Sequence, residues 1–172
     1  MRALVVLAFV AGCSGASPDG ATPPPRGSSA EATLRAAGLP LDALPASIDA
    51  LPAAQLDAVM QTFSSSLGLD CNGCHDANDA ARSTERVRIA ARMWSDFVVA
   101  RRFADGRPLY CDSCHQGRAT FLALDDTHAL GLWMERYFTD GFVRADGRKN
   151  DCFSCHGTPF DPGFLDTWAD GP

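Results

Sequence analysis

No stretch of this 172-residue chain is apolar for long enough to cross a bilayer as a helix. The best candidate, Leu4 to Cys13, has about half the length such a helix needs. Basic residues are few: Lys and Arg total 15 against 21 Asp and Glu, a formal net charge of −6. With no basic patch to neutralise phosphates, nucleic acid is excluded as a partner class. Histidine is scarcer still, with four in the chain. Only His128 lies outside the motifs described next, so acid–base and nucleophile–base constellations have little to draw on. Asp125-Asp126 reads as charge at a helix N-terminus, not as an acid/base pair. Asp76, Asn78 and Asp79 lack the closing Glu of a calcium loop and read as solvated turn residues.

Cysteine is used in a pattern. Six of the seven cysteines fall in three copies of Cys-x-x-Cys-His: Cys71 to His75, Cys111 to His115 and Cys152 to His156. This is the attachment signature of c-type haem. Two thiols one helical turn apart form thioethers to the vinyl groups of one porphyrin, and the adjacent His (His75, His115 or His156) becomes the proximal iron ligand. Paired cysteines also build zinc ribbons, and in an exported chain they form disulfides. Zinc has no need of a His after every second Cys, four-ligand sites do not divide three such units evenly, and disulfides need no His at all. Three covalently bound haem c groups account for all nine residues.

The seventh cysteine, Cys13, ends the N-terminal apolar run. Arg2, the short apolar stretch and the small residues before Cys13 read as an export signal over residues 1–12. Val10-Ala11-Gly12-Cys13 resembles the bacterial lipobox, which implies lipid attachment at Cys13 and a membrane anchor at the N-terminus. Cleavage by an ordinary signal peptidase and an unprocessed chain are the alternatives. Residues 14–30 are almost wholly Ser, Gly, Ala, Pro and Thr, a composition that buries little apolar surface. Residues 13–31 are therefore expected to be a lipid-anchored flexible linker, and residues 32–172 one domain with three haems. Its acidity, increased by the haem propionates, fits redox protein partners with a basic docking face.

The second and third motifs belong to an internal repeat of 41 residues. Met93 and Met134 each lie 18 positions before the first Cys of their motif, and Ala104-Asp105-Gly106-Arg107 matches Ala145-Asp146-Gly147-Arg148. The first motif has a shorter connection, with Met60 only 11 positions before Cys71. Apolar spacing predicts helices over about residues 52–67, 84–101 and 127–138, each carrying its Met on the apolar face. Asp105-Gly106 and Asp146-Gly147 are turn signals able to close small hairpins, with Pro108 limiting any strand there to an edge. The expected fold is all-α with sparse regular structure: a multihaem cytochrome c built from helix-Met plus CxxCH units, its haems forming most of the core. After Met1, as many methionines remain as motifs. Met60, Met93 and Met134 are thus the candidate distal iron ligands, giving His/Met coordination. A flexible core-filling role is the bland reading of any one of them. His128 is an alternative distal ligand.

Val59 to His75, with Met60 ahead of Cys71-Asn72-Gly73-Cys74-His75, resembles the haem-binding segment of the photosynthetic reaction-centre cytochrome c subunit family. So does Ala90-Ala91-Arg92-Met93-Trp94 followed by Tyr110 to Arg118. The resemblance covers residues 56–118. It implies axial roles for Met60 and Met93 and, through the internal repeat, for Met134. The function expected is electron relay by six-coordinate haems at the outer face of a bacterial membrane, in the periplasm, with no catalytic residues. The alternative is a haem enzyme, one haem being left five-coordinate to reduce peroxide or a small nitrogen oxide.

Overall fold

Proline and glycine set the limits of the longest helix. After a short helix α1 (Glu31–Ala36) and single 3-10 turns at Leu41–Ala43 and Ile48–Ala50, helix α2 runs over Ala53–Leu67. Pro52, with no N–H to leave unpaired, stands at its N-cap. Gly68 ends it at φ 65°, the left-handed conformation that costs a residue without Cβ least. The computed structural model describes residues 21–169, so Cys13 and the export signal lie outside the described residues.

The buried face of α2 differs from the apolar stripe expected for it. Val59, Thr62, Phe63 and Ser66 are buried, whereas Leu56, Met60 and Leu67 stay half-exposed along the flank. The hydroxyls are satisfied, so burying them costs little. Thr62 Oγ1 donates to the Val59 carbonyl at 2.8 Å and meets the Tyr110 hydroxyl at 2.7 Å. The Ser66 hydroxyl donates to the Thr62 carbonyl. Around this face gathers an apolar cluster that includes Leu34, Leu39, Leu41, Trp94 and Tyr110.

The remaining elements repeat. Helix α3 (Glu85–Met93) is capped by Thr84, widens into a π turn at Trp94–Val99 and leads to strand β1 (Arg101–Phe103). The second motif then forms α4 (Cys111–Cys114). Helix α5 (Thr127–Met134), capped by Asp126, widens into a π turn at Glu135–Thr139 and leads to β2 (Phe142–Arg144). The third motif contributes α6 (Phe153–His156), and α7 (Asp166–Ala169) follows. The second and third helices expected from the sequence therefore exist, but each leaves α geometry directly after its Met. Such π turns are frequent at functional sites.

The all-α expectation needs one correction. β1 and β2 pair antiparallel, Arg101 with Arg144, Arg102 with Val143 and Phe103 with Phe142. Since the repeat is 41 residues, Arg102 faces its own counterpart, Val143. The flanking bonds are equivalent too: Ala104 N–H donates to the Gly141 carbonyl and Ala145 N–H to the Ala100 carbonyl, both at 2.8 Å. Phe97 and its counterpart Phe138 meet edge to face with centroids 5.7 Å apart. The two repeats are thus related by a local pseudo-two-fold axis through this ladder. The Asp-Gly turns do close, with Gly106 N–H to the Phe103 carbonyl and Gly147 N–H to the Arg144 carbonyl. Each strand nevertheless finds its longest partner in the other repeat.

The end of the expected flexible linker is held. Ser28 Oγ, Ser29 N–H and Ser29 Oγ donate to the Asp112 carboxylate at 2.6, 2.6 and 2.7 Å. Arg26 N–H donates to the Ser113 carbonyl at 2.9 Å, and Trp133 Nε1 to the Pro23 carbonyl at 3.2 Å. Residues 22–30 form a strap across the second motif, because a buried carboxylate there supplies the acceptors that their hydroxyl and amide donors need. Contacts with the second motif and α5 thus extend back into the segment expected to be linker, as far as Thr22 among the described residues.

Candidate functional site

Each Cys-x-x-Cys-His segment folds as one helical turn. The His N–H donates to the carbonyl of the first Cys in all three: His75 to Cys71 at 2.9 Å, His115 to Cys111 at 2.9 Å and His156 to Cys152 at 3.0 Å. A residue just ahead starts each turn. Asp70 accepts from Gly73 N–H at 2.8 Å, Tyr110 N–H donates to Ser113 Oγ at 3.1 Å, and Asp151 accepts from Ser154 N–H at 2.7 Å. This local geometry follows from sequence, since Asp and Ser bond to nearby backbone in this way.

The imidazoles are oriented alike. Nδ1 lies 2.9 Å from the Ala80 carbonyl in His75, 2.9 Å from the Arg118 carbonyl in His115 and 2.8 Å from the Asp161 carbonyl in His156. A carbonyl only accepts, so Nδ1 carries a proton in each ring, which leaves Nε2 as the nitrogen able to bind a metal. This is the arrangement that fixes a metal-ligating histidine. Aromatic rings steady two of them: Phe121 at 4.9 Å from His115, and Phe160 stacked at 4.3 Å on His156.

The six motif cysteines are all unpaired, with Cys71 and Cys152 exposed and Cys74, Cys111, Cys114 and Cys155 half-buried. Among the described residues, no three His, Cys, Asp or Glu side chains converge as a zinc ribbon would require. The donor set of each motif, two free thiols on one turn and one imidazole with Nε2 free, fits a covalently attached haem.

Met60, Met93 and Met134 are half-exposed on their helices, and Met60 packs against the apolar cluster of the core. Their helices are not confined to their own units. α2 lies against α4, the second motif, where Gly117 N–H donates to the Ser66 carbonyl at 2.8 Å. α3 packs on α7, downstream of the third motif, with Arg92 5.2 Å over the Trp168 ring. On α5, Trp133 reaches Phe121 at 5.9 Å and through it His115 of the second motif. Sequence spacing pairs each helix with the motif that follows it; the protein contacts place α3 beside the segment after the third motif and α5 beside the second. His128 stands exposed in the first turn of α5.

Residues 58–157 match the family described as cytochrome c7 and related cytochrome c. The chain belongs to that family. As a cytochrome c7 relative it is a multihaem c-type cytochrome, carrying covalently bound haem c and serving electron transfer. This family differs from the reaction-centre subunit that residues 56–118 resemble, and covalent attachment of several haems is the part of that resemblance the match supports. Neither a curated protein nor a solved structure matches the chain. No helix among the described residues is long and apolar enough to cross a membrane.

Burial shapes the chemistry of the cytochrome's second motif. It pushes the Cys114 thiol up to about 12 and the Cys111 thiol higher still, so neither is a ready thiolate. A thioether, which does not ionise, suits those apolar surroundings. Burial also lowers the pKa of His115, which keeps its imidazole neutral, the form that binds iron.

Proposed function

We propose that this cytochrome carries three haems, one per motif, and relays electrons while tethered to a bacterial membrane through lipid on Cys13. The observation that carries the reading is the threefold recurrence of one construction: a His that donates N–H to the first Cys carbonyl and holds its own Nδ1 against a main-chain carbonyl. His75, His115 and His156 are the proximal ligands through Nε2. Met60, Met93 and Met134 are the distal ones, supplied from helices whose flanks the protein leaves half-exposed. Haem supplies a one-electron couple; the chain fixes its ligands, limits water at its edges and sets the charge around it. A thioether opposite the imidazole favours reduced iron relative to a second histidine. Its redox partners are expected to present a basic face to this acidic surface.

Haem content measured by pyridine haemochrome is expected to be three per chain, with a Met–iron charge-transfer band in the oxidised spectrum and no carbon monoxide uptake by the reduced protein. Met134→Ala is expected to open a single haem to carbon monoxide. Rapid uptake by the unaltered protein would overturn six-coordination and favour the enzymatic alternative.

A further inference from the structure

The pseudo-two-fold axis makes positions 101 and 142 equivalent, and likewise 112 and 153. At each pair one repeat has a charge where the other has phenylalanine. Arg101, on β1, is 4 % exposed and reaches the third motif; its counterpart Phe142 packs in the apolar cluster beside Cys114 of the second. Asp112, inside the second motif, is 5 % exposed; its counterpart Phe153 in the third is 56 % exposed. The two motifs are alike in construction and opposite in buried charge.

Among the described residues neither charge takes part in an ion pair. Arg101 Nη2 donates to Cys155 Sγ at 3.2 Å and Nε to Asn150 Oδ1 at 3.3 Å, while the guanidinium lies 4.7 Å over the Phe97 ring. Arg101, Cys155 and Phe97 also line a cavity of about 130 Å³, which Arg92 and Asp96 share. The other charges near Cys155 are nearer solvent: Asp96 pairs with Arg92 at 3.1 Å, Arg144 with Asp146 at 2.7 Å, and Asp151 is exposed. Asp112 accepts its three hydrogen bonds from neutral donors of the strap; Arg26 and Asp112 both line a separate cavity of about 270 Å³.

Ferric haem carries one positive charge more than ferrous. A buried cation beside it therefore favours reduction, and a buried anion favours oxidation, with little screening from salt. We propose that Arg101 raises the potential of the third site and Asp112 lowers that of the second, so that electrons pass from the second site to the third. This rests on the three-haem reading above. In each exchange one electron leaves the second site, which is oxidised, and enters the third, which is reduced; no bond forms or breaks. At an effective dielectric of about 20, a unit charge acting across roughly 10 Å shifts such an equilibrium about tenfold or more.

The test is a potentiometric titration of the mature holoprotein, each haem followed by its assigned methyl resonances in NMR, after haem content is measured. In the unaltered protein the third site is expected to have a higher midpoint than the second. Arg101→Met should lower the reduced-to-oxidised ratio of the third site about tenfold at fixed poise, about 59 mV for a one-electron couple. Arg101→Lys, which keeps the charge, should retain most of that ratio, and Asp112→Asn should raise the ratio of the second site. Three haems with the second midpoint at or above the third, or equal effects of Met and Lys at position 101, would overturn the gradient alone. Fewer than three haems would overturn the three-haem reading and the gradient with it. Should Arg101→Met fail to mature, the order of midpoints in the unaltered protein decides the matter by itself.

Discussion

At position 68 the chain tolerates no side chain for two separate reasons. Its φ of 65° disfavours any residue with a Cβ, and a Cβ there would collide with the Gly117 carbonyl oxygen beyond the second motif. Gly106 shares the first problem, at φ 87°, but has nothing within 4 Å. Gly106→Ala should thus cost only the backbone conformational penalty, roughly 1–2 kcal/mol. Gly68→Ala should cost clearly more, because it also forces α2 away from the Gly117 turn. Thermal unfolding of the two holoprotein variants measures the difference; equal losses would mean that α2 does not dock against the second motif as described. The close approach ties the chain leading into the first motif to the chain leaving the second. Gly68 was legible in the sequence as a helix stop, but its partner was not, since Gly117 lies 49 residues away.

Among the elements, the strap over residues 22–30 departs most from its composition. Segments rich in Pro, Ser and Gly ordinarily lack the apolar surface to order themselves. Here the ordering free energy comes from Asp112, a buried carboxylate that accepts three hydrogen bonds from Ser28 and Ser29. Trypsin is therefore expected to cut after Arg26 much more slowly than after the exposed Arg82, and Asp112→Ala should restore rapid cleavage at Arg26. Equal cleavage rates at the two arginines in the unaltered protein would show residues 22–30 to be a free tether. The helices tell a related story. Thr84 and Asp126 caps, together with apolar spacing, place the starts of α3 and α5 correctly. The change to π geometry after Met93 and Met134 has no comparable local signal, because a π turn is selected by what packs on either side of it.

For the whole molecule, apolar burial is divided between protein core and cofactor. The apolar cluster around Val59, Phe63, Trp94 and Tyr110 belongs to the N-terminal half and the entrance to the second motif. The cluster of the second and third units is smaller, Phe103, Leu109 and Phe142 with Cys114 and Phe138 against them. Large apolar residues near the motifs, Leu124, Leu132, Phe153 and Phe160, are at least half exposed. Covering such surface with porphyrin would contribute at roughly 25 cal/mol per Å² of apolar area removed from water. Replacing all six motif cysteines by serine should therefore yield a chain with much reduced helicity in far-UV circular dichroism and no cooperative thermal transition. Native-like helicity in that variant would show that the protein core, and not bound haem, holds the fold.

The sequence by itself determined the chemistry: three Cys-x-x-Cys-His turns, the scarcity of other histidines and the 41-residue repeat. These are local features, set by covalent spacing and by side chains that bond to nearby backbone. Tertiary structure alone decided how the repeats combine. Antiparallel pairing of Arg101–Phe103 with Phe142–Arg144 builds the pseudo-two-fold axis, and the Met-bearing helices α3 and α5 each reach toward the other repeat. Pairing of this kind depends on contacts between segments far apart in the chain, which spacing within either repeat does not encode. The same axis gives Arg101 and Asp112 their meaning. In sequence they are two ordinary charges among many; only the fold buries one beside Cys155 and the other inside the second motif.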